Sequence, residues 1–148
     1  ASSVATWSIG RGSYATEPIP AIQTHPVTGS GNFTTIPVAG SQISVVSTAS
    51  TNASNQKSSA GNLFELSVSN PTATAAAVKL YNKATAPTVG TDVPILTIPI
   101  AAGAMVSLSF GELGKRFATG ISMAITAAIA ATDTASSVAG VQVHGTYN

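Results

Sequence analysis

Between Val78 and Thr126 the chain reads VKLYNKATAPTVGTDVPILTIPIAAGAMVSLSFGELGKRFATGISMAIT, three runs of alternating apolar and polar residues cut apart by prolines and glycines. A repeat of two is the period of a strand, whose successive side chains point to opposite faces. Pro87, Pro94 and Pro99, with Gly90, Gly103 and Gly111, interrupt the stretch too often for a helix of several turns. Only short strands joined by turns satisfy both features.

The flanking segments extend the pattern. Ser41–Thr48 places Ile43 and Val45 on one face and Val46 on the other, a strand; Ala49–Gly61 reads ASTNASNQKSSAG, turn-formers and polar residues with no large apolar side chain, and is expected to be a mobile surface loop with an exposed tip. Asn62–Asn70 sets Leu63, Glu65, Ser67 and Ser69 opposite Phe64, Leu66 and Val68. Ala75–Lys83 follows with Ala76, Val78 and Leu80 opposite Ala77, Lys79 and Tyr81, and the Asn70-Pro71 turn predicts an antiparallel hairpin between these two strands. Ile95–Ile100 is a β-branched run in which Pro99 argues for an edge strand or a bulge. Met105–Phe110 alternates Val106, Leu108 and Phe110 with Ser107 and Ser109, and Gly111–Phe117 reads as a loop or one helical turn. From Ile121 to Ala130 the alanines favour a helix, but the large residues recur at every second position, and that spacing predicts a strand. Val138–Tyr147 closes the chain, Val141 and Val143 alternating with Gln142 and His144. Seven or eight short strands at this turn spacing predict an all-β fold, an antiparallel β-sandwich of jelly-roll type, with an immunoglobulin-like sandwich as the second architecture.

Residues 1–40 differ. Pro18, Pro20, Pro26 and Pro37 are too closely spaced for a helix or a central strand, so residues 1–40 are expected to form an extended N-terminal arm and residues 41–148 the sandwich domain. One short strand fits Val4–Ile9 before Gly10-Arg11-Gly12 breaks it. The arm carries Trp7, Arg11 and Tyr14, residue types enriched where interfaces concentrate their energy, and these are the expected partner contacts; the competing reading has Trp7 capping the domain's own core.

Composition bounds the chemistry. Only 7% of residues are charged and the net charge is +1, against roughly 25% charged in average soluble domains, so little repulsion opposes association. Arg11, Lys57, Lys79, Lys83, Lys115 and Arg116 make no basic stripe of the kind nucleic acid requires. Ile121–Ala131 is too short and too polar to span a bilayer. Cysteine is absent, and His25 and His144 have no ligand-spaced companions, so neither a metal nor another cofactor is expected. Glu17, Glu65, Asp92, Glu112 and Asp133 are dispersed; a glycosidase pair from Glu65 with Asp92 or Glu112 is conceivable by number alone, no Gly-x-Ser-x-Gly elbow occurs, and no enzyme is expected. No basic segment followed by an apolar one opens the chain, and Ala1 is what removal of an initiator Met leaves, which favours synthesis in the cytoplasm.

The strings LYNKATAPTVGTDVPILTIPI and VSLSFGELGKRFATGISMAIT, followed by the Asp133-Thr134 loop and the closing VQVHGTYN, resemble a family of small tailed-phage virion proteins over roughly residues 78–143. The resemblance implies a jelly-roll capsid decoration or cement protein on the outer capsid surface of a bacteriophage virion, made in the host cytoplasm. It implies the major capsid protein and further copies of the chain, as a homotrimer, for partners, and no catalytic residues. The low charge, the arm and polar loops such as Ala49–Gly61 are compatible with it. The alternative function is a carbohydrate-binding β-sandwich module of a head fibre or tail, for which Trp7 and Tyr81 are the candidate aromatic platforms.

Overall fold

The computed structural model describes residues 40–148. They form nine strands: β1 Ser41–Val46, β2 Ser54–Lys57, β3 Gly61–Ser69, β4 Ala76–Asn82, β5 Leu96–Ile100, β6 Met105–Ser109, β7 Lys115–Phe117, β8 Ile121–Thr126 and β9 Gln142–Tyr147. The described residues contain no helix. One sheet has the order β1-β9-β3-β6, with short β7 also on β3; the other has the order β2-β8-β4-β5, and every pairing is antiparallel. With β7 set aside, the eight remaining strands pair first with eighth, second with seventh, third with sixth and fourth with fifth. That is one long two-stranded ribbon rolled so that it contributes alternately to two sheets, the jelly roll. The expected all-β antiparallel sandwich is the fold observed.

The ribbon rolls because its apolar positions face one way. Ile43, Leu66, Val68 and Val143 from the first sheet meet Val78, Leu80, Ile98, Ile100, Met123 and Ile125 from the second, and all are buried. Leu63 and Phe117 extend this core toward β7. β5 is an edge strand, so Pro99 sits where a missing donor costs least. Val46, on the opposite phase of β1 from Ile43, is exposed as its spacing predicts.

Rolling the ribbon forces strands to leave one sheet for the other, and the backbone groups at those crossovers lose their ladder partners. Asparagines take them up. At the β3–β4 crossover the fully buried Asn70 donates from Nδ2 to Thr74 O (2.9 Å) and Ala101 O (3.1 Å), while its Oδ1 accepts from Thr72 N (3.2 Å) and Thr72 Oγ1 (2.6 Å). This ties the β3–β4 crossover to the β5–β6 turn beside it. At the β1–β2 crossover Asn52, at φ 49°, donates to Ser50 O (2.8 Å) and Ser137 Oγ (2.9 Å) and accepts from Thr48 N (2.8 Å), joining this loop to the β8–β9 connection. Asparagine is among the few residues that adopt this left-handed conformation at low cost. Ser47 adds a second tie there, accepting from Val141 N (2.9 Å) and donating to Val138 O (2.6 Å).

Four expectations change. The Asn70-Pro71 turn does not make a hairpin: β3 and β4 lie in different sheets, because the turn is the ribbon's crossover. Ala49–Gly61 is not one mobile loop: it contains β2, paired with β8, and the Asn52 bonds hold its first half. Gly111–Phe117 contains β7. Leu63 does not oppose Leu66, since a register shift between Leu63 and Glu65 against β9 restarts the alternation and turns both leucines into the core. The arm assigned to residues 1–40 lies outside the described residues, apart from Gly40 at its end.

The core assignment makes a direct prediction. Leu66→Ala, which empties a site on a strand paired on both sides, lowers unfolding free energy by about 2–5 kcal/mol in urea titration with an unchanged slope. Ser107→Ala, on the open face of the same sheet, shifts it by less than about 0.5 kcal/mol.

Candidate functional site

The two sheets treat their outer faces differently. On the second sheet, Ala77, Lys79 and Tyr81 of β4 and Ser122, Ala124 and Thr126 of β8 point away from the core, yet all are buried. The β8–β9 connection lies over Lys79 and Thr126, and the β4–β5 loop brings Asp92 beside Tyr81. Lys79 donates from Nζ to Ala130 O (2.6 Å) and Asp133 O (3.3 Å), fastening the connection across the strand. The Asp133 carboxylate shapes the same connection by accepting from Ala128 N (2.9 Å) and Ala135 N (3.2 Å). The β4–β5 loop meets it at Gly90, where an added Cβ would come within 2.5 Å of Thr134 Cγ2.

The charges on this face follow from that cover. Burial lowers the Lys79 ammonium pKa, and the nearby Asp133 charge offsets part of the effect. Burial works to raise the Asp133 pKa, but the two backbone donors, the Thr126 hydroxyl and Lys79 outweigh it and the net shift is downward. Asp92, in the β4–β5 loop, is lowered by its hydrogen bond from Lys83 and then by that from Thr88 N. Burial raises the Tyr81 phenol, as does the Asp92 charge. The Tyr81 hydroxyl is buried without a hydrogen-bond partner.

Among the described residues, no connection covers the outer face of the first sheet. Strand register aligns Ser44, His144, Ser67 and Ser107 in one row across β1, β9, β3 and β6. A second row runs Gln42, Thr146, Glu65 and Ser109. These two rows line a trough of about 440 Å3. Of its side-chain bonds among the described residues, Ser107 Oγ to Ser67 Oγ (3.4 Å) is the one that crosses strands, leaving most of its hydroxyl and amide capacity unspent. Beneath the rows, Gly145 lets β9 lie close to β3: an added Cβ would stand 2.7 Å from Glu65 O. The trough can form hydrogen bonds in both senses and carries one carboxylate and the His144 imidazole; no Phe, Tyr or Trp lines it.

Trp7, Arg11, Tyr14 and His25 lie outside the described residues. Tyr81 is 1% exposed on the covered face, so it offers no platform to a sugar, a correction to its candidacy. Glu65 stands in the trough of the first sheet, whereas Asp92 belongs to a loop of the second and is held by Lys83, so the structure does not bring this pair together. Among the described residues no three of His, Asp and Glu gather as metal ligands. The trough itself was missed in the sequence. Its members occupy the polar phase of four strands, but which strands adjoin is set by the roll.

No protein-family model and no curated protein sequence matches the chain. Among solved structures, the coat protein of Tobacco streak virus is similar at 8% identity, covering 76% of this chain and 89% of that one, with a TM-score of 0.28. A likeness at that score carries no argument, and the fold assignment rests on the strand order.

The covered face yields a prediction. Lys79→Ala removes the fastening and leaves Asp133 O without its donor, Ala130 O keeping that of Asp133 N, and costs about 2–4 kcal/mol in chemical denaturation. Lys79→Met restores the packing, yet amide exchange across residues 127–135 stays faster than in the parent chain.

Proposed function

We propose that the chain is a structural component of a virus particle, a phage capsid decoration or cement protein. In this reading it is made in the host cytoplasm, seats on the outer capsid surface, contacts the major capsid protein and associates with its own copies as a homotrimer. The observation that carries the reading is the strand order, β1-β9-β3-β6 over β2-β8-β4-β5, a jelly roll of the kind that builds viral capsid domains. The sequence resemblance over roughly residues 78–143 supports it, as do the low charge and a net charge of +1, which leave association unopposed. The warrant is fold and resemblance, with no site chemistry in it.

Partner contacts are assigned to the N-terminal arm, with Trp7, Arg11 and Tyr14 as anchors, and to exposed apolar side chains of the sandwich. Leu113 in the β6–β7 turn and Val93 in the β4–β5 loop are the most exposed of these. Such side chains lose water only when a neighbour covers them.

Co-sedimentation tests the reading. The chain is expected to band with purified capsids at a fixed ratio, and light scattering of the free protein is expected to give three times the 14.7 kDa chain mass. Trp7→Ala should weaken capsid binding at least about tenfold, the loss of one hot-spot aromatic. A stable monomer absent from purified particles contradicts the proposal.

A further inference from the structure

We infer that the open trough of the first sheet is a binding site for a neutral oligosaccharide. Among the described residues, loops cover the outer face of the second sheet and none covers this one, whose side chains are rich in hydrogen-bonding atoms. Ser44, Ser67, Ser107 and Thr146 supply hydroxyls, Gln42 an amide and Glu65 a carboxylate, and they line one concavity of about 440 Å3. That volume lies within the roughly 300–1,000 Å3 of small-molecule sites.

The lining selects the ligand. A sugar hydroxyl both donates and accepts, as serine, threonine and glutamine side chains do, so a ring laid across the two rows finds partners in either sense. No Lys or Arg lines the trough, and the Glu65 carboxylate faces it beside His144, so sialylated or phosphorylated glycans meet repulsion there. A protein partner, including a second copy of this chain, is a poor match. Protein interfaces are anchored by aromatic, Met or Arg side chains packed in a dry centre, and these two rows offer none. Without a Phe, Tyr or Trp face for ring stacking, binding at one site is weak, on the order of a millimolar. Repetition of the site on a multimer multiplies it.

The test is a titration of the full-length, isotope-labelled chain with maltotriose, chitotriose and mannotriose, and with 3′-sialyllactose as the anionic probe, followed by amide and side-chain NMR shifts. At least one neutral trisaccharide should shift Ser44, Ser67, Ser107, His144 and Thr146 in a saturable way, and sialyllactose should not. Glu65→Ala weakens the response about tenfold, the usual size for a hydrogen bond to a charged group. Ser107→Trp fills the trough from its edge and abolishes the response; both positions are exposed, so the fold tolerates the changes. Three outcomes overturn the inference: no shift with any neutral sugar at tens of millimolar, shifts confined to another face, or an equal response to sialyllactose. A fourth does so too, shifts of the same residues on concentrating the protein without sugar, which would make the face a contact between copies. The free chain is used, so sugar binding and capsid binding succeed or fail separately.

Discussion

The structure depends on satisfying backbone groups where the ribbon leaves one sheet for the other. Apolar faces alone favour many sandwiches, and burying Ile43, Leu66, Val78 or Ile125 does not decide which connections cross and which turn back. The crossovers decide it, because there the peptide groups lose the ladder and an unpaired buried group costs about 1–3 kcal/mol. Asn70 and Asn52 occupy two such points, each bonding to its own loop and to the neighbouring connection. At the crossover between them Gly120 admits close backbone contact, an added Cβ lying 2.6 Å from Lys57 O. Asparagine side chains thus serve two of the ribbon's three crossings, and close backbone approach serves the third.

This scaffold explains why the two outer faces differ. The ribbon's closed end, the β4–β5 loop, and the long β8–β9 connection both belong to the second sheet's side, and they fold down over it with Lys79 as the fastening. Nothing comparable in length arises beside β1, β9, β3 and β6 among the described residues. The first sheet is thus free to present short polar side chains, and it does so in register across four strands.

Local periodicity made most strands legible. β6 was readable residue by residue, since Val106 and Leu108 alternate with polar neighbours, and β9 was readable from Val143 between Gln142 and His144. β8 was legible through its spacing despite an alanine content that favours helix, because Ile121, Met123 and Ile125 recur at period two. What sequence did not display was non-local. Serine and asparagine in β2 look like loop until β8 supplies their partner, and Asn70-Pro71 looks like a hairpin turn until the roll separates β3 from β4. The bulge after Leu63 is invisible to a pattern that assumes strict alternation. The trough lay in plain view as scattered polar residues, but only strand order makes neighbours of Ser44, His144, Ser67 and Ser107.

The claim that asparagines at the crossovers hold the roll is open to one direct measurement: equilibrium urea unfolding of Asn52→Ala and Asn70→Ala beside Asn82→Ala. Asn82 is exposed and accepts one bond, from Thr119 N (2.8 Å), so its loss sets the scale for an ordinary surface asparagine. The account predicts losses of about 2–3 kcal/mol for each crossover variant and below about 1 kcal/mol for Asn82→Ala. Crossover variants as stable as Asn82→Ala would contradict it, and would return the choice of topology to the apolar core alone.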